Sequence, residues 1–271
     1  MQLICPVCSA QLNPSDDGRN LACENRHSFD RAKQGYWNLL LVQNKRSKDP
    51  GDNPEMILAR QQFLSAGHYQ PVSDTLSSLA EKYTEEHPNI VDLGCGEGYY
   101  TERFANALKA KSPDILGLDI SKHAIKSACK RGTDITWTVA SSAQIPVPEK
   151  SIDLAVIVFS RVLGEPMAKI LKDTGVVIIA YPGVKHLYSL REAIYETVRE
   201  KISDPGKELG EGYELIEDVR VNFPLTLPSG DALNNLLMMT PHGQRAALKL
   251  GEIKQFTTEV DIHLAVFKQK A

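Results

Sequence analysis

The sequence predicts an α/β protein, a doubly wound and mostly parallel sheet with an antiparallel closing strand, preceded by a small metal-binding module. Three observations carry this expectation. The apolar run Ile90-Val91-Asp92-Leu93 breaks into Gly94-Cys95-Gly96-Glu97-Gly98 before a helical pattern begins at Thr101, which reads as strand, tight turn and helix start. Residues 152–159 are apolar almost throughout, as strands of a parallel sheet covered on both faces are. Three of the five cysteines crowd the first 23 residues, too short a stretch to bury a useful core without a cross-link or a metal.

At 271 residues the chain holds one large domain or a domain plus a small module. It has no run of about 18 apolar residues, so no membrane span is expected. Met1-Gln2-Leu3-Ile4-Cys5 lacks the basic start and long apolar core of a signal peptide, and a cytoplasmic location is expected. A formal net charge of -3 excludes a protein whose whole surface serves nucleic acid. An RNA partner would have to meet a local patch.

Residues 1–43 form the expected module. Cys5-Pro6-Val7-Cys8 and Cys23-Glu24-Asn25-Arg26-His27 place two donor pairs on tight turns across a polar loop. That spacing points to one zinc ion held by Cys5, Cys8, Cys23 and His27. Four protein ligands leave no open position, so the metal is structural. Disulfides are the alternative, and a cytoplasmic setting disfavours them. Next, Phe29, Tyr36 and Trp37 interleave with Arg31 and Lys33. Such a run either stacks bases and pairs phosphates or closes the module's small core.

Residues 44–71 read as a linker loop followed by a helix. Asn44 to Pro54 contains two prolines, a glycine and no apolar residue. Here Lys45, Arg46 and Lys48 are candidates for phosphate contacts, and Asp49 and Asp52 for a base edge; a merely solvated loop is the alternative. Pro54-Glu55 opens a helix with Met56, Ala59, Phe63 and Leu64 at helical spacing, ending near Gly67. After His68-Tyr69-Gln70-Pro71 a second helix, Val72 to Tyr83, starts the body at residues 72–271.

In the body, the glycines let a nucleotide-like ligand lie against bare backbone at a helix start. The dinucleotide spacing fails at Tyr99. The order Asp92-x-Gly94-x-Gly96-x-Gly98 instead resembles the first motif of Rossmann-like, class I methyltransferases that use S-adenosylmethionine. Asp119 ends the next strand about 20 residues on, where an acid meets ribose hydroxyls. Glu97 is expected beside the methionine end. A helix runs Ser121 to Lys130 with Ser121 as its cap, and Ile135 to Ala140 is the third strand. In this fold the turn with Ser142 commonly holds the adenine. A short helix around Met167 to Leu171 leads to Lys172-Asp173-Thr174-Gly175, read as a connecting turn and a departure from the Lys-Pro-Gly-Gly of many methyltransferases. Val176 to Tyr181 is the fifth strand, and His186 follows at its carboxyl end, the edge where doubly wound sheets bind ligands. A helix from Leu187 to Lys201 and one near Ala232 to Met238 accompany two closing strands, Glu214 to Phe223 and Phe256 to Phe267. In the last, Val260, Ile262, Leu264 and Val266 alternate with Asp261, His263 and Ala265, as in a half-exposed strand.

Taken in order, the cysteine pattern, Lys45-Arg46-Ser47-Lys48-Asp49-Pro50-Gly51-Asp52, Ala66-Gly67-His68-Tyr69-Gln70-Pro71, Asp92 to Tyr100 and Met239-Thr240-Pro241 resemble the bacterial large-subunit (23S) ribosomal RNA guanine-N1 methyltransferases over essentially the whole chain. The resemblance implies methylation of a guanine in a 23S ribosomal RNA hairpin, and it implies that Tyr69 and His186 touch the cofactor. Guanine N1 carries a proton at neutral pH, so the reaction needs a base, and Asp49 and Asp52 are the candidates. A zinc-containing small-molecule methyltransferase and a non-catalytic RNA-binding module are the rival readings. A homodimer, joining two modest basic patches into one wider cleft, is an alternative to a monomer.

Overall fold

The computed structural model describes residues 1–45, 47–132, 134–198, 203–228, 230–240 and 255–270. Arg46, Lys201 and Pro241, named above, lie outside them. Four short strands open the chain: β1 (Leu3–Ile4), β2 (Gln11–Pro14), β3 (Asn20–Ala22) and β4 (Ser28–Asp30), an antiparallel sheet in that order. Leu3, Leu12 and Leu21 turn one side chain per strand inward, and Cys5 and Cys23 join them in the core. Those side chains are continuous with the core on one face of the main sheet, where they share a cluster with Leu93, Leu118 and Val147.

β5 (Trp37–Asn38) leaves this sheet and becomes the edge strand of a second, eight-stranded one. It pairs in parallel with the later strand β8, Trp37 opposite Thr138, and the Leu39 amide donates to Val139 O at 2.9 Å. A division at residue 43 therefore does not coincide with a break in the sheet. The aromatic run serves packing here: Tyr36 is buried in the main core and Arg31 lies 5.6 Å over the Trp37 ring.

Next come α1 (Pro54–Ser65) and α2 (Gln70–Lys82). Asn53 caps α1 by accepting from the Met56 amide, and Pro54 occupies the first turn, where no N–H is needed. The body continues β6 (Asn89–Leu93), α3 (Tyr99–Ala107), β7 (Asp114–Asp119), α4 (Lys122–Ala128), β8 (Ile135–Val139), β9 (Ile152–Val158), α5 (Gly164–Ile170), β10 (Leu171–Pro182), α6 (Tyr188–Ile194), α7 (Pro205–Leu209), β11 (Tyr213–Leu227), α8 (Gly230–Met238) and β12 (Phe256–Gln269).

Strand order is β11-β12-β10-β9-β6-β7-β8-β5. β5 through β10 run parallel, β12 is antiparallel to β10, and β11 is antiparallel to β12. The chain moves outward one way from β6 to β8 and the other way from β9, so the switch point lies between β6 and β9. A crevice opens there at the carboxyl ends of the strands. Ile90, Val91, Leu154, Val156 and Ile157 are fully buried around it. Among the described residues no helix is long and apolar enough to cross a membrane.

Three segments differ from expectation. Lys172-Asp173-Thr174-Gly175 is an irregular stretch within β10, not a connecting turn: the register breaks between Leu171 and Val176, and Lys172 Nζ holds Asp153 of β9 at 2.8 Å. β12 is not half-exposed. It lies between β10 and β11, and Asp261 and Ala265 are each only 1% exposed, so both faces are covered. α6 ends at Ile194, where Tyr195 turns extended, and α7 (capped by Asp204) was not anticipated because five residues show no helical period.

Candidate functional site

The first candidate site is the metal centre. The turns after β1 and β3 bring Cys5, Cys8, Cys23 and His27 together, with all four donor atoms within 4.8 Å of one another. Cys8 Sγ and Cys23 Sγ are 3.7 Å apart, and His27 Nδ1 is 3.5 Å from Cys5 Sγ and 3.4 Å from Cys23 Sγ. Tetrahedral zinc with Zn–S of about 2.3 Å and Zn–N of about 2.0–2.1 Å demands edges of about 3.8 Å for S–S and about 3.5 Å for S–N. The donor set fits. Hydrogen bonds from the Asn25 amide and the Ala10 backbone lower the Cys8 thiol to about 6, favouring the thiolate, whereas burial pushes Cys5 up. Zinc here is structural.

The second site is the crevice at the switch point, a cavity of about 980 Å³. Such a volume is near the top of the range of about 300–1,000 Å³ typical of ligand pockets. Its floor is the glycine loop. Gly94 has φ of 80°, and a Cβ there would fall 2.1 Å from Ser160 Oγ, so only glycine lets β6 turn against β9. Gly94 and Gly96 line the cavity; Gly98 caps α3 and packs on Trp137.

Three carboxylates surround this loop. Asp92, only 1% exposed, accepts from Thr101 Oγ1 at 2.6 Å through Oδ2, while its Oδ1 has no protein partner. Burial raises its carboxyl to about 7, against the Thr101 hydrogen bond and with a smaller push from Asp119. Asp119 ends β7 and accepts from the Gly96 and Ser121 amides at 3.0 and 2.7 Å; burial still holds it above the usual carboxylate range. Glu97 is buried and paired with Arg131, whose Nε donates to Oε2 at 2.7 Å; burial nevertheless raises it. Glu97 Oε1 and the Tyr100 hydroxyl are buried without partners as well. A cavity with three acids and orphaned acceptors suits a ligand carrying positive charge and N–H donors. S-adenosylmethionine, with its sulfonium and ammonium groups, answers that description, and Asp119 stands where ribose hydroxyls would reach it.

The upper wall comes from the loop before α1 and from the β10–α6 connection. Gly51, at φ of 84°, lies so close to Ser121 that a Cβ would sit 2.7 Å from Ser121 Cβ, and Ser121 Oγ donates to Asp52 O at 2.7 Å. Asp52 thereby faces the cavity, paired with Arg60 at 2.8 Å. Asp49 points elsewhere, exposed and 2.8 Å from His123 Nε2. Tyr69 is buried and its hydroxyl is 3.3 Å from His186 Nε2. The Asp261 amide donates to His186 Nδ1 at 3.3 Å, so that nitrogen keeps its lone pair and Nε2 carries the proton toward Tyr69. Ser142 lies in the Ser141–Gln144 turn beyond β8, away from the cavity lining.

The structure thus brings Asp52, Tyr69, Asp92, Gly94, Gly96, Glu97, Asp119 and His186 together and leaves Asp49, Gly98 and Ser142 outside the lining. Arg60, Tyr100, Arg131 and Phe159 escaped sequence reasoning. Only the Tyr99-Tyr100 pair abutting the glycine loop signalled its part; Arg131 reaches Glu97 from 34 positions away, with no local pattern.

Fold, glycine loop and buried acids define a class I, S-adenosylmethionine-dependent methyltransferase. Residues 90–175 match a family described as a methyltransferase domain, and residues 3–48 match the zinc-ribbon family described as RlmA, N-terminal. A solved S-adenosylmethionine-dependent methyltransferase from Aquifex aeolicus shares the fold at 14% identity, with a TM-score of 0.50 over 80% of this chain and 100% of that one. The 23S rRNA (guanine(748)-N(1))-methyltransferase of Streptomyces fradiae is 31% identical over 244 residues, 88% of this chain and 84% of the relative. A Micromonospora griseorubida relative named for guanine-N1 methylation of 23S rRNA is 32% identical over 69% of this chain and 68% of its own length. The chain belongs to the 23S rRNA guanine-N1 methyltransferase family.

Proposed function

We propose that the protein transfers a methyl group from S-adenosylmethionine to N1 of a guanine in a hairpin loop of 23S ribosomal RNA. The observation that carries this reading is a single cavity with buried Asp92, Glu97 and Asp119 around the glycine loop and Asp52 in its opposite wall. Family membership supports the acceptor. A ribosomal RNA substrate places the reaction in the cytoplasm.

When bound, S-adenosylmethionine supplies a methyl group already made electrophilic by its sulfonium. What remains for this chain is to hold the guanine in line, exclude water and take up the N1 proton. Asp92 and Glu97 would receive the amino-acid end and Asp119 the ribose. Asp52, the one of the two loop acids that lines the cavity, would take up the N1 proton when the guanine nitrogen receives the methyl group. Its ion pair with Arg60 orients the carboxylate toward the cavity floor, where Arg60 overhangs Gly96. The target guanine must be unstacked to expose its pairing edge. Gly51 and Asp52, from the loop before α1, form one wall of the cavity, a suitable RNA-facing side.

Unmodified 23S ribosomal RNA incubated with labelled cofactor, then mapped by reverse transcription, tests this reading. One strong stop at a hairpin guanine is expected, because methylation of the pairing edge blocks copying. Label without a stop, or no label in RNA, would overturn it.

A further inference from the structure

Phe159 stands out in the wall of the cavity. It is 43% exposed, and among the described residues it is the one aromatic in the set of exposed large hydrophobics. It has φ of 51°, a left-handed backbone that glycine or asparagine adopts far more readily than phenylalanine. The sheet enforces that conformation: the Phe159 amide donates to Ala180 O at 3.0 Å, and next to it Ser160 is seated over Gly94. A bulky apolar side chain is therefore held in an unfavourable backbone and shown to solvent at the wall of the cavity.

The ring is not loose. It lies nearly parallel to His186, 14° between planes with centroids 6.4 Å apart, and Tyr69 tilts against it at the same centroid distance. Packing thus fixes the orientation while leaving much of the ring open. Its position separates it from the cofactor's nucleoside. Asp119 ends β7 and Phe159 follows β9, on opposite sides of β6. With strands about 4.8 Å apart, that places the two about 10 Å from each other across the glycine loop. A planar group stacked on Phe159 would approach the cavity from the side of the β10–α6 connection, which carries His186, opposite the ribose acid.

From this we infer that Phe159 is the platform on which the unstacked target base lies, a substrate-binding residue that sets the plane in which N1 meets the methyl group. The inference rests on the RNA reading above, which supplies the base. Aromatic faces accept any base, so Phe159 provides position and not sequence choice.

The test uses the full-length, zinc-loaded protein and a ribosomal RNA hairpin fragment that the unaltered protein methylates. Phe159→Ala is expected to lower kcat/KM by about 5- to 150-fold, the range for losing one base–aromatic stack, with the dissociation constant for S-adenosylmethionine unchanged within about twofold. Phe159→Trp retains activity, whereas Phe159→Leu, apolar but lacking a π-face, behaves like alanine. With 2-aminopurine at the target position, the base stays quenched when bound to the unaltered protein and brightens on Phe159→Ala. Phe159→Gly, which relieves the backbone, raises Tm while losing activity. Unaltered protein that methylates RNA while Phe159→Ala does so at the same rate, or a loss matched by loss of cofactor affinity, would overturn this inference alone. Unaltered protein that methylates no RNA would remove the functional reading and this inference with it.

Discussion

Asp92→Asn keeps the shape of a buried side chain and removes its charge. The carboxyl moves from an ordinary value near 4 in the unfolded chain to about 7 in the folded protein. That is a roughly thousandfold preference for the proton, and each tenfold costs about 1.4 kcal/mol. Between pH 4 and pH 7 the folded state binds more protons than the unfolded state at this site, so its contribution to stability falls as pH rises. The wild-type protein should therefore lose up to about 4 kcal/mol relative to Asp92→Asn across that window, with no difference below pH 4 and a plateau above pH 7. Thr101 can still donate to the asparagine oxygen, so the variant has no compensating loss. Urea denaturation of both proteins at pH 4 to 8, each without cofactor, measures the gap. It should widen by about 1.4 kcal/mol per pH unit and then level off. Calorimetry should show S-adenosylmethionine binding at least about tenfold weaker to the variant at pH 7.5, since a neutral amide replaces the acid that would meet its cationic end. A gap independent of pH, or a variant less stable at pH 8, would refute the reasoning.

Two further outcomes follow from the geometry. Cys23→Ser should remove about one zinc per chain, measured by elemental analysis, and lower Tm while leaving cofactor affinity within a few-fold, because the glycine loop belongs to the body and not to the ribbon. Arg131→Met strands the buried Glu97 charge and should cost about 3–5 kcal/mol in urea denaturation at pH 7, most of it recovered in the Glu97→Gln, Arg131→Met double variant.

The parts of this protein that were legible in its sequence are those built from local rules. A strand running into Gly94-Cys95-Gly96, caps at Asn53 and Ser121, and two donor pairs around one turn-rich loop need only their neighbours to be recognised. What stayed hidden depends on distant partners. Asp49 and Asp52 looked equivalent in the loop; only Ser121 and His123, about 70 residues later, decide that Asp52 faces the cavity and Asp49 the solvent. Alternation in β12 suggested a solvated face. Instead Asp261 is enclosed by the Lys185 amide at 3.0 Å, by Arg220 at 2.6 Å and by a glycine at 183 whose missing Cβ leaves the space. Ser142 followed a habit of the fold, yet the turn that carries it is held toward the ribbon by Gln144, which bonds Pro6 and Asn44.

The pairing of β5 with β8 also bears on how the chain is made. Trp37 and Thr138 meet across about a hundred residues, so β5 is synthesised well before its partner and cannot dock until β8 has emerged. During that interval the zinc ion can hold the ribbon's turns together, and a ribbon left without zinc would fail to present β5, so that the edge of β8 stays unpaired. A sheet edge left open is a template for association with other chains. Zinc starvation during synthesis would therefore appear first as aggregation of newly made protein, before any loss from chains already folded.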